Sequence, residues 1–229
     1  MPWLDQGIGP KLLFMEKSVK ARMDSLSQEE RPKGCEYCPL NEVLGIRKIK
    51  GTVEGKDIFV WAQSPGLEEN RENRELVERG RSGQFLWGEL KRVGITRERC
   101  DIQNVVRCVP ADRVESVSRP LKMRDPTKEE RRCCSFYTIQ AIDKQKAKLQ
   151  LVFGEIAQKE LLGTEYKKDK KVFWSEKLNG NVVCLKHPGY FIRGCGGDKS
   201  RKLGEFRELL ENGLSRLSDV RDEAQRDTC

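Results

Sequence analysis

One histidine stands in a chain of 229 residues. It is His187, in the stretch VVCLKHPGYFIRG, after an apolar run and ahead of Pro-Gly-Tyr. An imidazole titrates near neutral pH and can donate a hydrogen bond, accept one, or move a proton. The second set of reactive groups is nine cysteines, at 35, 38, 100, 108, 133, 134, 184, 195 and 229. Cys35 and Cys38 form a CxxC pair, which suits two thiolates converging on one metal. Cys108 and Cys134 are distant singles, and two close ligands plus two distant ones fit an iron–sulfur cluster that stitches loops together. The same spacing fits equally a zinc ion held by four cysteines. The odd count argues against a complete disulfide framework. Cys100, Cys133, Cys184 and Cys195 read as small buried hydrophobes, and Cys229 as an exposed tail thiol.

These groups need elements to position them. Short apolar runs at 57–62 (DIFVWA), 100–106 (CDIQNVV), 148–154 (KLQLVFG) and 181–187 (NVVCLKH) read as strands. Helical patterns cover 11–30, 82–94 closed by Gly94, 127–145 opened by a Thr127 cap, 157–163 and 200–217. The charged stretch 67–81 and the polar stretch 111–126 read as solvated surface loops at positions where they can shape access. The chain divides into a helical extension (1–32), one domain (33–217) and a solvated tail (218–229). Strands alternating with helices predict an α/β fold with a mostly parallel sheet covered on both faces. Ligands bind such sheets at the carboxyl ends of the strands. Gln63-Ser64-Pro65-Gly66, the Asn104-to-Pro110 segment, Gly154-Glu155 and His187-Pro188-Gly189-Tyr190 then gather at one end.

Lysines and arginines number 44 against 36 acids, a net charge of +8 that favours a polyanionic partner such as nucleic acid. No apolar run approaches the roughly 20 residues that span a bilayer. The N-terminal stretch lacks a signal-peptide pattern. A cytoplasmic protein with no membrane contact is expected.

The segments CEYCPL, AQSPG, GRSGQFL, QNVVRCVP, RDPTKEERRCC and KHPGYFIR occur in this order over roughly residues 33–215. The ordered set resembles the motifs of family 4 uracil-DNA glycosylases, the iron–sulfur type. The resemblance implies a three-layer α/β/α sandwich around a four-stranded parallel sheet. It implies that Cys35, Cys38, Cys108 and Cys134 hold a structural [4Fe–4S] cluster, with Cys134 rather than Cys133 as the fourth ligand. It implies a monomer that flips a pyrimidine nucleotide out of DNA and hydrolyses its N-glycosidic bond. By the same resemblance His187 donates to O2 of the departing base, and Asn104 reads the base edge. Tyr190, Phe191 and Ile192 are candidates for the wedge that fills the stack. Backbone amides at Gly66, Ser82 and Gly83 would meet phosphates, with charge from Arg81 and Arg193.

Two departures fall on the site. The family's Gly-Glu-Ala-Pro-Gly is here Ala62-Gln63-Ser64-Pro65-Gly66. Gln63 can position a water but cannot take its proton, and Ser64 is placed to help hold that water. The base-stacking Phe of the family appears as Leu76, which offers apolar contact without a π face. The expected function is therefore excision of uracil or a related modified pyrimidine. The alternative is a weak or inactive glycosylase-like module that binds DNA without turnover.

Overall fold

The computed structural model describes residues 34–43, 45–76, 80–113, 121–194 and 197–226. The expected helix at 11–30, the extension 1–32 and the thiols of Cys195 and Cys229 lie outside the described residues.

Four parallel strands form the centre: β1 (Ile58–Ala62), β2 (Cys100–Asn104), β5 (Leu149–Phe153) and β7 (Gly180–Leu185). They stand in the order β2-β1-β5-β7, and β6 (Val172–Ser175) joins the far edge antiparallel to β7. The four-stranded parallel sheet expected from sequence is thus a five-stranded sheet with one antiparallel edge. β6 escapes a sequence reading because its VFWS run is short and lies in a lysine-rich stretch.

Every residue of β1, β2, β5 and β7 is buried. Side chains alternate between two cores, as the strand period of two demands. Ile58, Val60, Ala62, Leu149, Leu151, Phe153, Val183 and Leu185 face one core. That core is closed by α2 (Arg81–Arg92), α5 (Pro188–Ile192) and α6 (Lys199–Arg226). Phe59, Trp61, Val152, Val182 and Cys184 face the other, beneath α3 (Lys128–Lys144) and α4 (Glu155–Leu162). This is the expected three-layer α/β/α sandwich. Leu86 and Leu90 of α2 are fully buried, each stabilising the layer by about 1.5–3 kcal/mol.

The β2 edge is covered rather than exposed. Thr52 donates its N–H to the Ile102 carbonyl and accepts from the Ile102 N–H through its hydroxyl. The buried Asp101 carboxylate accepts from the amides of Glu54, Gly55 and Lys56. Paired in this way, the strand offers no free ladder to another chain.

Three stretches differ from the sequence reading. Residues 67–81 hold a helix, α1 (Leu67–Glu72), with a capping box in which the Gly66 N–H donates to Glu69 at 3.0 Å. Their acids are partly interior: Glu69 and Glu75 are buried. Residues 111–126 contain a hairpin of β3 (Ala111–Arg113) and β4 (Leu121–Met123), with Ala111 opposite Met123. Strands of three residues in polar sequence carry no periodic signal. Finally, α6 continues to Arg226 instead of ending near 217.

Candidate active site and cysteine cluster

The four parallel strands end on the same side, and a cleft of about 480 Å³ opens there. Its wall includes Gln63, Ser64 and Gly66 after β1, Phe153 closing β5, and His187 and Pro188 after β7. Leu76, Ser82 and Arg193, also expected, line it too, while Met123, Arg124 and Asp125 enter from the hairpin and the turn behind it.

His187 is the N-cap of α5, and its Nδ1 accepts the Gly189 N–H at 3.0 Å. An Nδ1 that accepts fixes the tautomer, so the ring proton sits on Nε2 as a donor. Burial pushes the imidazole below its ordinary pKa, the Arg193 cation pushes it further, and Asp125 opposes both. The ring is therefore neutral at neutral pH. Two glycines make the placement possible. A Cβ on Gly189 would stand 3.0 Å from His187 Nδ1 and 2.9 Å from Arg193 Nη1. Gly154 has φ +90, and a Cβ there would meet the His187 ring at 3.6 Å.

Gln63 donates from Nε2 to Asp125 Oδ1 at 3.0 Å, which leaves its Oε1 as the acceptor. Leu76 is buried at φ +38, a strained conformation for a branched side chain. Its carbonyl is held by Trp87 Nε1 at 2.9 Å and Arg97 Nη1 at 2.8 Å. Its side chain belongs to the core and to the cleft wall together.

Not every expected residue reaches the cleft. Asn104 sits beside Ala62 in the sheet but does not line the opening; it is buried and its Oδ1 has no hydrogen-bond partner among the described residues. Gly83 is buried in the first turn of α2, away from the wall. The Gly66 amide is occupied by Glu69. Phe191 is a core residue rather than a wedge: it is 2% exposed, stacked on Phe85 at 5.0 Å and edge-on to Phe206. Tyr190 packs edge-on to Phe191, flanked by Lys186 at 5.7 Å and Lys202 at 5.5 Å, and does not line the cleft. The short α5 turns both rings inward against α2 and α6. Met123, 46% exposed at the rim, is the apolar side chain that does stand there.

Asp125 was not legible as a site residue. Its only local signal is an acid following Arg124 and preceding Pro126, and it reaches Gln63 only because the hairpin folds back. The turn is rigid. Arg124 makes a two-pronged contact with the fully buried Glu130, at 2.9 and 2.6 Å, and bonds Asp112 at 2.8 Å. Thr127 and Glu130 form the capping box of α3.

The cysteines form a second locus. Cys35, Cys38, Cys108, Cys133 and Cys134 line a single cavity of about 90 Å³. Burial pushes the Cys108 thiol up to about 12, and Cys134, Cys38 and Cys35 add to the shift. Cys134 is pushed up to about 11 by burial, with Cys38 and Cys35 as its sulfur neighbours. Cys133 is also pushed up to about 11 by burial, with Cys38 and Cys134 as its sulfur neighbours. All five thiols share the cavity, and Cys133 packs against Cys38 as Cys134 does. Cations flank the set: Lys48 lies 4.0 Å and Arg107 4.7 Å from the Tyr137 ring, whose hydroxyl meets Cys35 Sγ at 3.3 Å. Among the described residues no three His, Cys, Asp or Glu side chains converge on one ion position. Thiols round one cavity with cations beside them are a donor set that suits an anionic thiolate-bound cluster. Cys100 and Cys184 are buried away from this cavity, as expected.

Comparison with known proteins agrees with this geometry. The family model described as uracil DNA glycosylase superfamily matches residues 50–211. The chain is 32% identical over 213 residues to a type-4 uracil-DNA glycosylase of Pyrobaculum aerophilum, covering 86% of this chain and 98% of that protein. It is 30% identical to a type-4 uracil-DNA glycosylase of Thermotoga maritima, covering 82% and 93%. The crystal structure of wild-type Pedobacter heparinus SMUG2 shares the fold at a TM-score of 0.53 and 11% identity, covering 87% of this chain and 97% of that one. By sequence, fold and the placement of its motifs, this chain belongs to the uracil DNA glycosylase superfamily.

Proposed function

We propose that the protein is a DNA glycosylase that flips uracil or a related modified pyrimidine into the cleft and hydrolyses its N-glycosidic bond. The observation that carries this reading is the neutral His187, with Nδ1 occupied by Gly189 and Nε2–H left to donate. As the C1′–N1 bond breaks, negative charge grows on O2 of the leaving pyrimidine. A preorganised donor stabilises that charge selectively in the transition state. A neutral imidazole supplies the hydrogen bond without giving up its proton. Extruding the base costs a few kcal/mol, which phosphate contacts by a chain of net charge +8 offset. Arg193 on the cleft wall, and Arg81 and Ser82 at the start of α2, supply such contacts. Asn104 fits the base-reading role through its unpaired Oδ1, an acceptor suited to a pyrimidine N3–H. Leu76 provides an apolar wall where an aromatic ring would stack.

Cys35, Cys38, Cys108 and Cys134 would hold a [4Fe–4S] cluster. When bound, it supplies a structural brace joining the 35–38 turn, the segment after β2 and the first half of α3. The protein acts as a monomer on DNA.

The test is excision from duplex and single-stranded oligonucleotides carrying uracil, 5-hydroxymethyluracil and other modified pyrimidines, with enzyme in excess and alkali cleavage of the product. Strand cleavage at one or more of these bases is expected. Salt-dependent binding with no cleavage at any base would establish the DNA-binding module instead.

A further inference from the structure

The family 4 motif has a glutamate after the first strand, and this chain has Gln63 there. A carboxylate nevertheless stands beside it. Asp125 lines the cleft and accepts a hydrogen bond from Gln63 Nε2 at 3.0 Å. The other acid on the cleft wall, Glu69, is committed to capping α1 through the Gly66 N–H. The Arg124 guanidinium bonds Glu130, Asp112 and the Asp125 backbone carbonyl, at 3.2 Å, and not the Asp125 carboxylate. Asp125 is fixed between that clamped arginine and the buried Pro126, and a residue before proline is confined to extended backbone.

We infer that Asp125 supplies the carboxylate that Gln63 lacks, so that the pair forms the water-activating unit of the active site. This inference rests on the glycosylase reading above. Gln63 Oε1 accepts one hydrogen bond from the water and orients it, while Asp125 holds the Gln63 amide and accepts the other proton. The water oxygen forms a bond to C1′ as the C1′–N1 bond breaks. The electron pair of the broken bond leaves on the pyrimidine, where the His187 donor holds it. The water proton passes to Asp125 and from there, through solvent, to the departing base. The products are a C1′ hydroxyl and the free base, with charge and atoms balanced. In the approach to this step the Asp125 anion also faces the positive charge developing on the sugar.

The experiment is a double-mutant cycle in single-turnover excision on the substrate found for the wild-type chain. Its variants are Asp125→Asn, Gln63→Glu and the two together. Asp125 is exposed and the asparagine is isosteric, so the fold is retained. Loss of a positioned base lowers such a rate by about 10²-fold or more, and that is the expected effect of Asp125→Asn. Affinity for a duplex carrying non-hydrolysable 2′-fluoro-2′-deoxyuridine should be unchanged. Adding Gln63→Glu to Asp125→Asn returns a carboxylate to the water and should recover most of the rate. A purely structural role for Asp125 would not give that rescue. Nor can protonation of His187 explain the loss, because Asp125 raises the proton affinity of that ring and its removal keeps the ring neutral. An unchanged rate in Asp125→Asn would overturn the inference, as would a matching loss of affinity or a double variant no faster than Asp125→Asn. A wild-type chain that excises no base defeats the glycosylase reading itself, and the inference with it.

Discussion

In the proposed reaction His187 is a neutral donor only while its ring stays unprotonated, so its environment would set the acid limit of activity. Burial and Arg193 hold the pKa below the ordinary histidine value, against the pull of Asp125. Single-turnover excision should be flat through neutral pH and fall only below the ordinary histidine range. Arg193→Ala removes the nearby cation, lets the pKa rise, and should shift the acid limb to higher pH in a rate–pH profile at saturating DNA. A limb that stays put would show that Arg193 does not act on the ring. Stability follows the same sign. The unfolded chain binds the imidazole proton at its ordinary pKa and the folded chain does not, so stability declines as pH falls from that value toward the lowered one. At this scale the sequence was partly legible. His187 stood out because it is unique and closes an apolar run, and Gln63 because it breaks a motif. Phe191 misled, since an aromatic next to an active-site histidine looks the same in sequence whether it faces the stack or the core. Asp125 lay within a recognised segment, but its role gave no signal, because its pairing with Gln63 links positions 62 residues apart.

Among the elements, the four parallel strands and the helices of both layers were legible because long apolar runs and capping residues mark them. Thr127 and Glu130 announced the start of α3, where the capping box does form. The β3–β4 hairpin, α1 and β6 were not legible, being short and either polar or, for β6, set in a lysine-rich stretch, and they are held by tertiary contacts rather than by propensity. Asn70 of α1, for example, accepts the Arg47 N–H and donates to the Gly45 carbonyl. The cysteine-bearing elements carry their own prediction. Cys134→Ser should abolish the brown colour and absorbance near 400 nm and lower the melting temperature. Cys133→Ser should keep the absorbance, because the proposed ligand set takes Cys134 and not Cys133. Equal loss of absorbance in both variants would assign the fourth ligand wrongly, and iron content by elemental analysis checks the metal directly.

For the molecule as a whole, the parallel sheet does one job for both loci. It brings Gln63, Phe153 and His187 from three strand ends to one cleft. The thiol cavity is joined to the same layer through α3, whose first turn is clamped by Arg124 beside the cleft. The proposed cluster would therefore brace the support of Asp125, while His187 is held separately by α5 and the two glycines around it. The net charge of +8 brings DNA to the surface, but discrimination rests on the few groups in the cleft. Single-turnover excision by the wild-type chain and by His187→Ala, on the same uracil or modified-pyrimidine duplex, tests this account most directly. The donor at O2 is worth on the order of 10²–10³ in rate, so the variant should be slower by that factor with its melting temperature and DNA affinity retained. A His187→Ala variant that excises as fast as the wild-type chain would contradict it.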